Sequence, residues 1–365
     1  MAEINIQNLH KTFDDFVAVR DSNFVVRDGE FFVMLGPSGC GKTTTLRMIA
    51  GLELPTSGQI MLGNEDVTFL RAAKRDIAFV FQLFALYPHM NVRQNISYPL
   101  KSEGVPRQQI KDRVEETARL LRIENMLEAP VSSLSGGDRQ RVALGRAIVR
   151  RPKVFLMDEP LGALDAEFRA LMCTELRALH DRLGATTVYV THDQIEAMSM
   201  ADKIAVMNNG LVEQFGTPRE IYDRPLSTFV AEFIGSPPMN LLSFHAGLSK
   251  GRRTIKLSGA TIPIPELRQS VAPSDLYLGI RPEHVQFDDK ARLKGRVVGT
   301  EYLGSTQIIT LSTSHGTLKA RLPASLAVRE GESIGLRLQG ERLSLFDRAS
   351  GKALNTALYD EAPHG

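Results

Sequence analysis

The sequence predicts an α/β chain in two parts: a mostly parallel sheet covered by helices and interrupted by an inserted helical subdomain, then a small β-rich domain. Three observations predict it. Compact apolar runs recur at Phe31–Leu35, Ile77–Phe81, Val154–Met157, Thr187–Val190 and Ile204–Met207, with helical segments between them. Uninterrupted runs of strand length suit strands buried on both faces, the condition of a parallel sheet between helix layers. Between Val105 and Leu127 the spacing turns helical. Pro106 can open a helix at its first turn, and Ile110, Val114, Thr117, Ala118 and Leu121 then share one face. The inserted subdomain is placed at about residues 88–151 on that basis. After Gly235 the texture changes: Pro237-Pro238 breaks the chain, and alternation takes over at Ile255/Leu257, Ile309/Leu311 and Ile334/Leu336/Leu338.

These signals divide the chain into residues 1–235, a β-barrel or sandwich over 236–348, and a polar, loosely held tail over 349–365. Gly340-Glu341, between Leu336–Leu338 and Leu343–Leu345, reads as the turn of a hairpin. The 365 residues are 43% apolar and 24% charged with a net charge of +2, so bulk charge gives no reason to expect nucleic acid. Two cysteines, Cys40 and Cys173, provide neither a disulfide framework nor a metal cluster. No apolar run approaches the roughly 18 residues of a membrane helix, and Met1–Asn5 has no signal-peptide pattern. Any work at a membrane is therefore expected to go through a partner.

Gly36-Pro37-Ser38-Gly39-Cys40-Gly41-Lys42-Thr43 fits a phosphate-binding loop, with a strand before it and a helix from Thr44 to Ala50 after it. Glycines let backbone N–H groups turn inward around phosphate oxygens, and the helix N-terminus adds partial positive charge. Lys42 is expected on the β- and γ-phosphates and the Thr43 hydroxyl on Mg²⁺. The run Val154–Met157 ends in Asp158 and Glu159: Asp158 is read as a Mg²⁺ ligand and Glu159 as the group that polarises the attacking water. One such acid alone could simply cap a helix. Gln82 and His192 follow further apolar strands, and ligands of open α/β sheets bind beyond the strands' carboxyl ends. Four runs thus aim Thr43, Gln82, Asp158/Glu159 and His192 at one place. Ser135, Gly136 and Gly137 open another helix, a second anion-ready end that makes sense if it meets a phosphate held by another subunit.

Together these pieces resemble the ABC transporter ATPases, in particular importer ATPases like those of the maltose and glycerol-phosphate systems, over essentially the whole chain. The resemblance makes Gly36–Thr43 the Walker A loop, Gln82 the Q-loop residue, Leu134–Arg141 the signature, Asp158-Glu159 the end of Walker B, Gly162–Asp165 the D-loop and His192 the switch histidine. It implies ATP and Mg²⁺ as ligands. Gly36, Pro37, Ser38, Gly39, Cys40, Gly41, Lys42, Thr43 and Thr44 would bind nucleotide, with Ser135–Gly137 across a dimer and Phe13 under the adenine. Thr43, Gln82 and Asp158 would hold the metal, and Lys42, Glu159 and His192 would carry the chemistry. Segments Gly279–His284 and Glu301–Gly304 are similar to the OB-like accessory β-domain of sugar-type importers, and Gly235–Asn240 to its junction. The implied partners are a second ATPase subunit, two permease subunits and, indirectly, a solute-binding protein. The implied place is the cytoplasmic face of the membrane. Importers of polyamines, iron or anions share the accessory domain, and a soluble ABC ATPase remains a more distant alternative. Two positions differ from the family's usual pattern: Asp138 replaces Gln after the signature glycines, and Gly162-Ala163 replaces Ser-Asn in the D-loop.

Overall fold

The computed structural model describes residues 2–81, 85–162 and 164–360. They form two compact units, Met1–Pro218 and Arg219–Gly365. In the first unit, strands β1 (Ile4–Phe13), β2 (Phe16–Val26) and β3 (Phe31–Leu35) precede helix α1 (Lys42–Ala50). Strands β4 (Ser57–Leu62), β5 (Glu65–Asp66) and β6 (Ile77–Val80) follow, then helices α2 (Val92–Ser102), α3 (Arg107–Leu121) and α4 (Gly136–Ile148). The remainder runs β7 (Val154–Asp158), α5 (Ala166–Leu183), β8 (Thr186–Thr191), α6 (Gln194–Met200), β9 (Lys203–Asn208) and β10 (Leu211–Gly216).

Among the described residues, β10-β9-β3-β8-β7-β6 make one sheet and β2-β1-β4-β5 a second, antiparallel one. From β9 to β6 the pairing is parallel, and β10 adds an antiparallel edge. Every residue of β3, β7 and β8 is buried, which is why those segments read as unbroken apolar runs. A single core joins both sheets to α1: Ile4, Ile6 and Leu9 from β1, Phe32 and Met34 from β3, and Leu46 and Ile49 from α1. Phe24 stacks on Phe32 across that core, with ring centroids 5.1 Å apart.

Helices α2, α3 and α4 form the insertion between β6 and β7. Asn91 and Gln94 cap α2 reciprocally, a capping box. The buried face of α3 is Ile110, Val114, Thr117, Ala118 and Leu121, the face the periodicity predicts, with Pro106 at the N-cap.

The second unit starts with helices α7 (Pro218–Asp223) and α8 (Thr228–Phe233). Strands β11 (Asn240–Leu248), β12 (Thr254–Leu257), β13 (Ala260–Pro263), β14 (Val271–Ile280) and β15 (Val285–Phe287) come next. Then follow β16 (Lys294–Tyr302), β17 (Thr306–Thr313), β18 (Gly316–Pro323), β19 (Ser333–Leu338) and β20 (Ser344–Asp347). The alternating residues Ile255/Leu257, Ile309/Leu311 and Ile334/Leu336/Leu338 are all buried in its core. Arg281 is 1% exposed and ties α7 and α8 to the strands. Its guanidinium donates to Tyr222 O at 2.8 Å, to Ala231 O at 3.1 Å and to Ile234 O.

Two expectations are corrected here. β19 and β20 are not a hairpin: β19 pairs with β15 and β16, whereas β20 pairs with β14. A 3₁₀ turn at Gly340–Arg342 carries the chain from one sheet to the other, and Gly340 lies so close to Pro263 that a Cβ would come within 2.7 Å of its ring. Residues 349–360 are also not loose. Leu354 is buried, its N–H donates to Leu345 O at 2.7 Å, and the Tyr359 hydroxyl donates to Pro225 O at 2.9 Å.

Candidate functional site

The fully buried β3 delivers the chain into the loop 36–41 and then α1. Gly41 sits at φ 103°, and a Cβ there would lie 2.4 Å from Ala18 O, so only glycine makes this turn. Gly41 is also the N-cap of α1 and no side chain caps that end, which leaves its first-turn N–H groups to receive an anion. The Lys42 ammonium is folded over the loop, donating to Gly36 O at 2.8 Å and Pro37 O at 2.9 Å. A buried cation held by two carbonyls and, at 3.8 Å, by the Cys40 sulfur, with no carboxylate among these partners, is a ready partner for phosphate. Ser38 and Gly39 are exposed at the crown of the loop, while Thr43 and Thr44 stand half-buried on the first turn. The Cys40 thiol lies beneath, where burial raises its pKa against the pull of Lys42.

The acidic side comes from the adjacent parallel strands. Asp158 ends β7, and the Thr43 hydroxyl donates to its Oδ1 at 2.9 Å. Burial pushes the Asp158 carboxyl up; the Thr43 hydrogen bond opposes that shift and the neighbouring Glu159 charge adds to it. A hydroxyl and a half-desolvated carboxylate brought together in this way suit a hard cation that also takes phosphate oxygens. Glu159 follows in the left-handed region, at φ 44°, with its N–H donating to Val190 O of β8 at 3.0 Å. A side-chain residue seldom adopts that backbone, and here it turns the carboxylate out of the strand line. His192, one residue past β8, places Nδ1 3.3 Å from Glu159 Oε2. Thus Lys42, Thr43, Asp158, Glu159 and His192 do meet beyond the strands' carboxyl ends, as expected from the sequence.

Ser135 is the N-cap of α4. Its Oγ accepts from Asp138 N at 3.2 Å and donates to Asp138 Oδ2 at 2.7 Å. Ser135 and Gly136 are exposed, while Gly137 is buried against α5, where a Cβ would strike the Phe168 ring at 2.3 Å. Phe13 ends β1 with its ring 43% exposed and the Lys11 ammonium 4.6 Å above its centroid. Gln82 and Ala163 lie outside the described residues.

Sequence reasoning missed the cluster behind His192. Glu196, 2% exposed, accepts from Tyr189 Oη at 2.8 Å and Thr191 Oγ1 at 2.7 Å. Asp193 caps α6 through Ile195 N at 2.7 Å, and Arg169 reaches both acids. The spacing Asp193-x-x-Glu196 is a helix-start signal that could have marked the cap. Nothing in one sequence links Arg169 to it.

A phosphate loop, a Walker-type acid pair and a poised histidine on this sheet define a nucleoside triphosphatase cassette. Residues 19–162 match the ABC transporter family, residues 235–285 the MalK OB fold domain and residues 278–346 the TOBE domain. The trehalose/maltose import ATP-binding protein MalK of Thermococcus litoralis is 45% identical over 97% of this chain and 100% of its own length. The sn-glycerol-3-phosphate import ATP-binding protein UgpC 2 of Agrobacterium fabrum is 46% identical over 98% of this chain and 95% of its own. Among solved structures, the dimeric post-hydrolysis state of an ATP-binding cassette with ADP and Pi superimposes with a TM-score of 0.54 at 30% identity, covering 59% of this chain and 99% of that one. The chain belongs to the ATP-binding subunits of ABC importers, and it is an ATP hydrolase coupled to transport.

Proposed function

We propose that this chain energises uptake of a carbohydrate or a glycerol-phosphate-like solute through a separate permease, as a peripheral subunit on the cytoplasmic membrane face. The relatives named above for trehalose/maltose and glycerol phosphate support that solute class, as does the OB-type accessory domain, whose border we set at Gly235–Ser236. No helix among the described residues is long and apolar enough to cross a membrane, and in this reading the solute path belongs to the permease. A groove of about 430 Å³ between β6 and the inserted helices is lined by Phe79, Phe81, Tyr87, Tyr98, Arg146 and Arg150, an aromatic seat for a permease helix.

The observation that carries the catalytic reading is the pair of short contacts Thr43–Asp158 and Glu159–His192 beside the Lys42 loop. Lys42 and the α1 N-terminus would hold the β- and γ-phosphates of ATP, with Phe13 stacked on the base. Thr43 and Asp158, with Gln82, would hold Mg²⁺, which supplies charge neutralisation at the phosphates. Glu159 would take the proton of the attacking water, and His192 would hold the γ-phosphate edge and orient Glu159. Ser135–Gly137 of the partner would close on the same γ-phosphate. ATP would then bond to both subunits when closed and to one when open, and only such differential contact drives a switch.

A second arrangement has an observation in its favour. The Ser135 hydroxyl, the group offered across the seam, already donates to the Asp138 carboxylate, and Gly162 brings no side chain to that seam. This suits a transporter with two different ATPase subunits, whose sites hydrolyse unequally. Purifying the intact complex and identifying its subunits by mass spectrometry, with ATPase assayed against candidate solutes, decides both points. One ATPase species present twice and stimulation by a sugar or glycerol phosphate support the main reading; stimulation only by polyamine, iron or an inorganic anion contradicts it.

A further inference from the structure

Two loops and the first turn of α6 converge on one guanidinium. Arg169 lies in the first turn of α5, with its side chain 28% exposed. Nη2 donates to Leu164 O at 2.8 Å, Nη1 donates to Asp193 Oδ2 at 2.9 Å, and Nε stands 3.6 Å from Glu196 Oε1. Leu164 belongs to the loop that begins at Glu159, and that loop is internally tied by Gly162 N to Glu159 O at 3.2 Å and Leu164 N to Leu161 O at 3.1 Å. Asp193 and Thr191 are the two neighbours of His192, and both are pinned. Asp193 uses one oxygen to cap α6 and the other for Arg169, while Thr191 donates to Glu196 and accepts from Asp193 N at 2.9 Å. The His192 side chain itself is 56% exposed and meets Glu159, while these flanks hold its backbone.

The geometry points to Arg169 as a positioning residue that locks the Glu159 loop to the His192 loop and thereby fixes the Glu159–His192 contact. Only a planar fork with donors in fixed directions bonds a carbonyl and a carboxylate while facing a second, buried acid; a lysine ammonium is a point charge and cannot span the three. The Glu159 loop also reaches the seam residues Gly162 and Asp165, so the same guanidinium transmits a shift at the seam to the histidine of its own chain. This deepens the catalytic reading above and rests on it.

The test is a double-mutant cycle on the full chain, following kcat and KM for ATP in the wild type, Arg169→Lys, His192→Ala and the double variant. Arg169→Lys lowers kcat by about 10- to 100-fold, the cost of misplacing a catalytic group, with KM within about twofold. In the His192→Ala background the same change costs no further activity. A multiplicative loss, or a wild-type kcat in Arg169→Lys, overturns the proposal and leaves the reading of His192 standing. A wild-type kcat in His192→Ala removes His192 from the chemistry, and the proposal with it. Urea unfolding confirms that each variant is folded, and Arg169→Gln carries the same cycle should the lysine variant not fold.

Discussion

At Asp138 two demands oppose each other. A carboxylate in the first turn of α4 favours the helix dipole and, by accepting from the Ser135 hydroxyl at 2.7 Å, completes the cap. In the dimer proposed above, the same carboxylate would place negative charge beside the partner's triphosphate, and it already occupies the Ser135 hydroxyl that would meet it. Asp138→Gln is therefore expected to raise ATP turnover by about two- to fivefold, the kinetic equivalent of one dipole-scale interaction. Steady-state hydrolysis at saturating ATP checks this; unchanged turnover makes the residue neutral in this position. The identity of Asp138 is plain in the sequence, but its pairing with Ser135 is not, because a hydrogen bond depends on a rotamer. The grouping of Thr43, Asp158, Glu159 and His192 was legible for a different reason: Asp158-Glu159 and His192 close apolar runs, Thr43 follows the glycine-rich loop after another, and a parallel sheet brings run ends together. Arg169 lies mid-turn in a helix with no such marker, so only the packing of α5 on α6 reveals it.

Among the elements, those with a strong period were readable. The α3 face and the fully buried β3, β7 and β8 follow from spacing alone. The link between β19 and β20 was not, since Gly340-Glu341 offers the same residues to a hairpin turn and to a 3₁₀ corner. The difference lies in pairings remote in sequence, β19 with β15 and β16 and β20 with β14, and the corner runs so close to Pro263 that only a glycine fits at 340. Arg281 is another element-scale device invisible to pattern reading. Its burial lowers the guanidinium pKa, yet it remains charged and satisfies carbonyls at the ends of α7 and α8. Arg281→Ala orphans those carbonyls and opens a cavity, and is expected to destabilise the second unit by about 3 kcal/mol. Denaturant unfolding followed in that unit measures it; a shift under about 0.5 kcal/mol, the range of a surface change, contradicts the account.

On the scale of the whole molecule, the two-part organisation was visible as a change of texture at Gly235-Ser236-Pro237-Pro238. Packing draws its own line further upstream, because α7 and α8 group with the second unit and Arg281 and Phe346 hold them there. Short helices of six residues carry too little periodicity to declare their allegiance. The tail misled for a similar reason: its polar composition hides Leu354 and Thr356, both buried, and a single apolar residue is no pattern. The reading proposed for the first unit is a site that binds ATP through the Lys42 loop and hydrolyses it through Glu159, two tasks on separate strands. The measurement that tests this most directly is ATP affinity and turnover in Glu159→Gln. The substitution preserves the volume and the backbone turn, and leaves Lys42, Thr43 and Asp158 untouched. ATP affinity within about twofold of the wild type, with turnover reduced at least about a hundredfold, is the predicted result. Turnover near the wild-type rate would contradict the assignment of Glu159 as the base, and with it the mechanism proposed for this site.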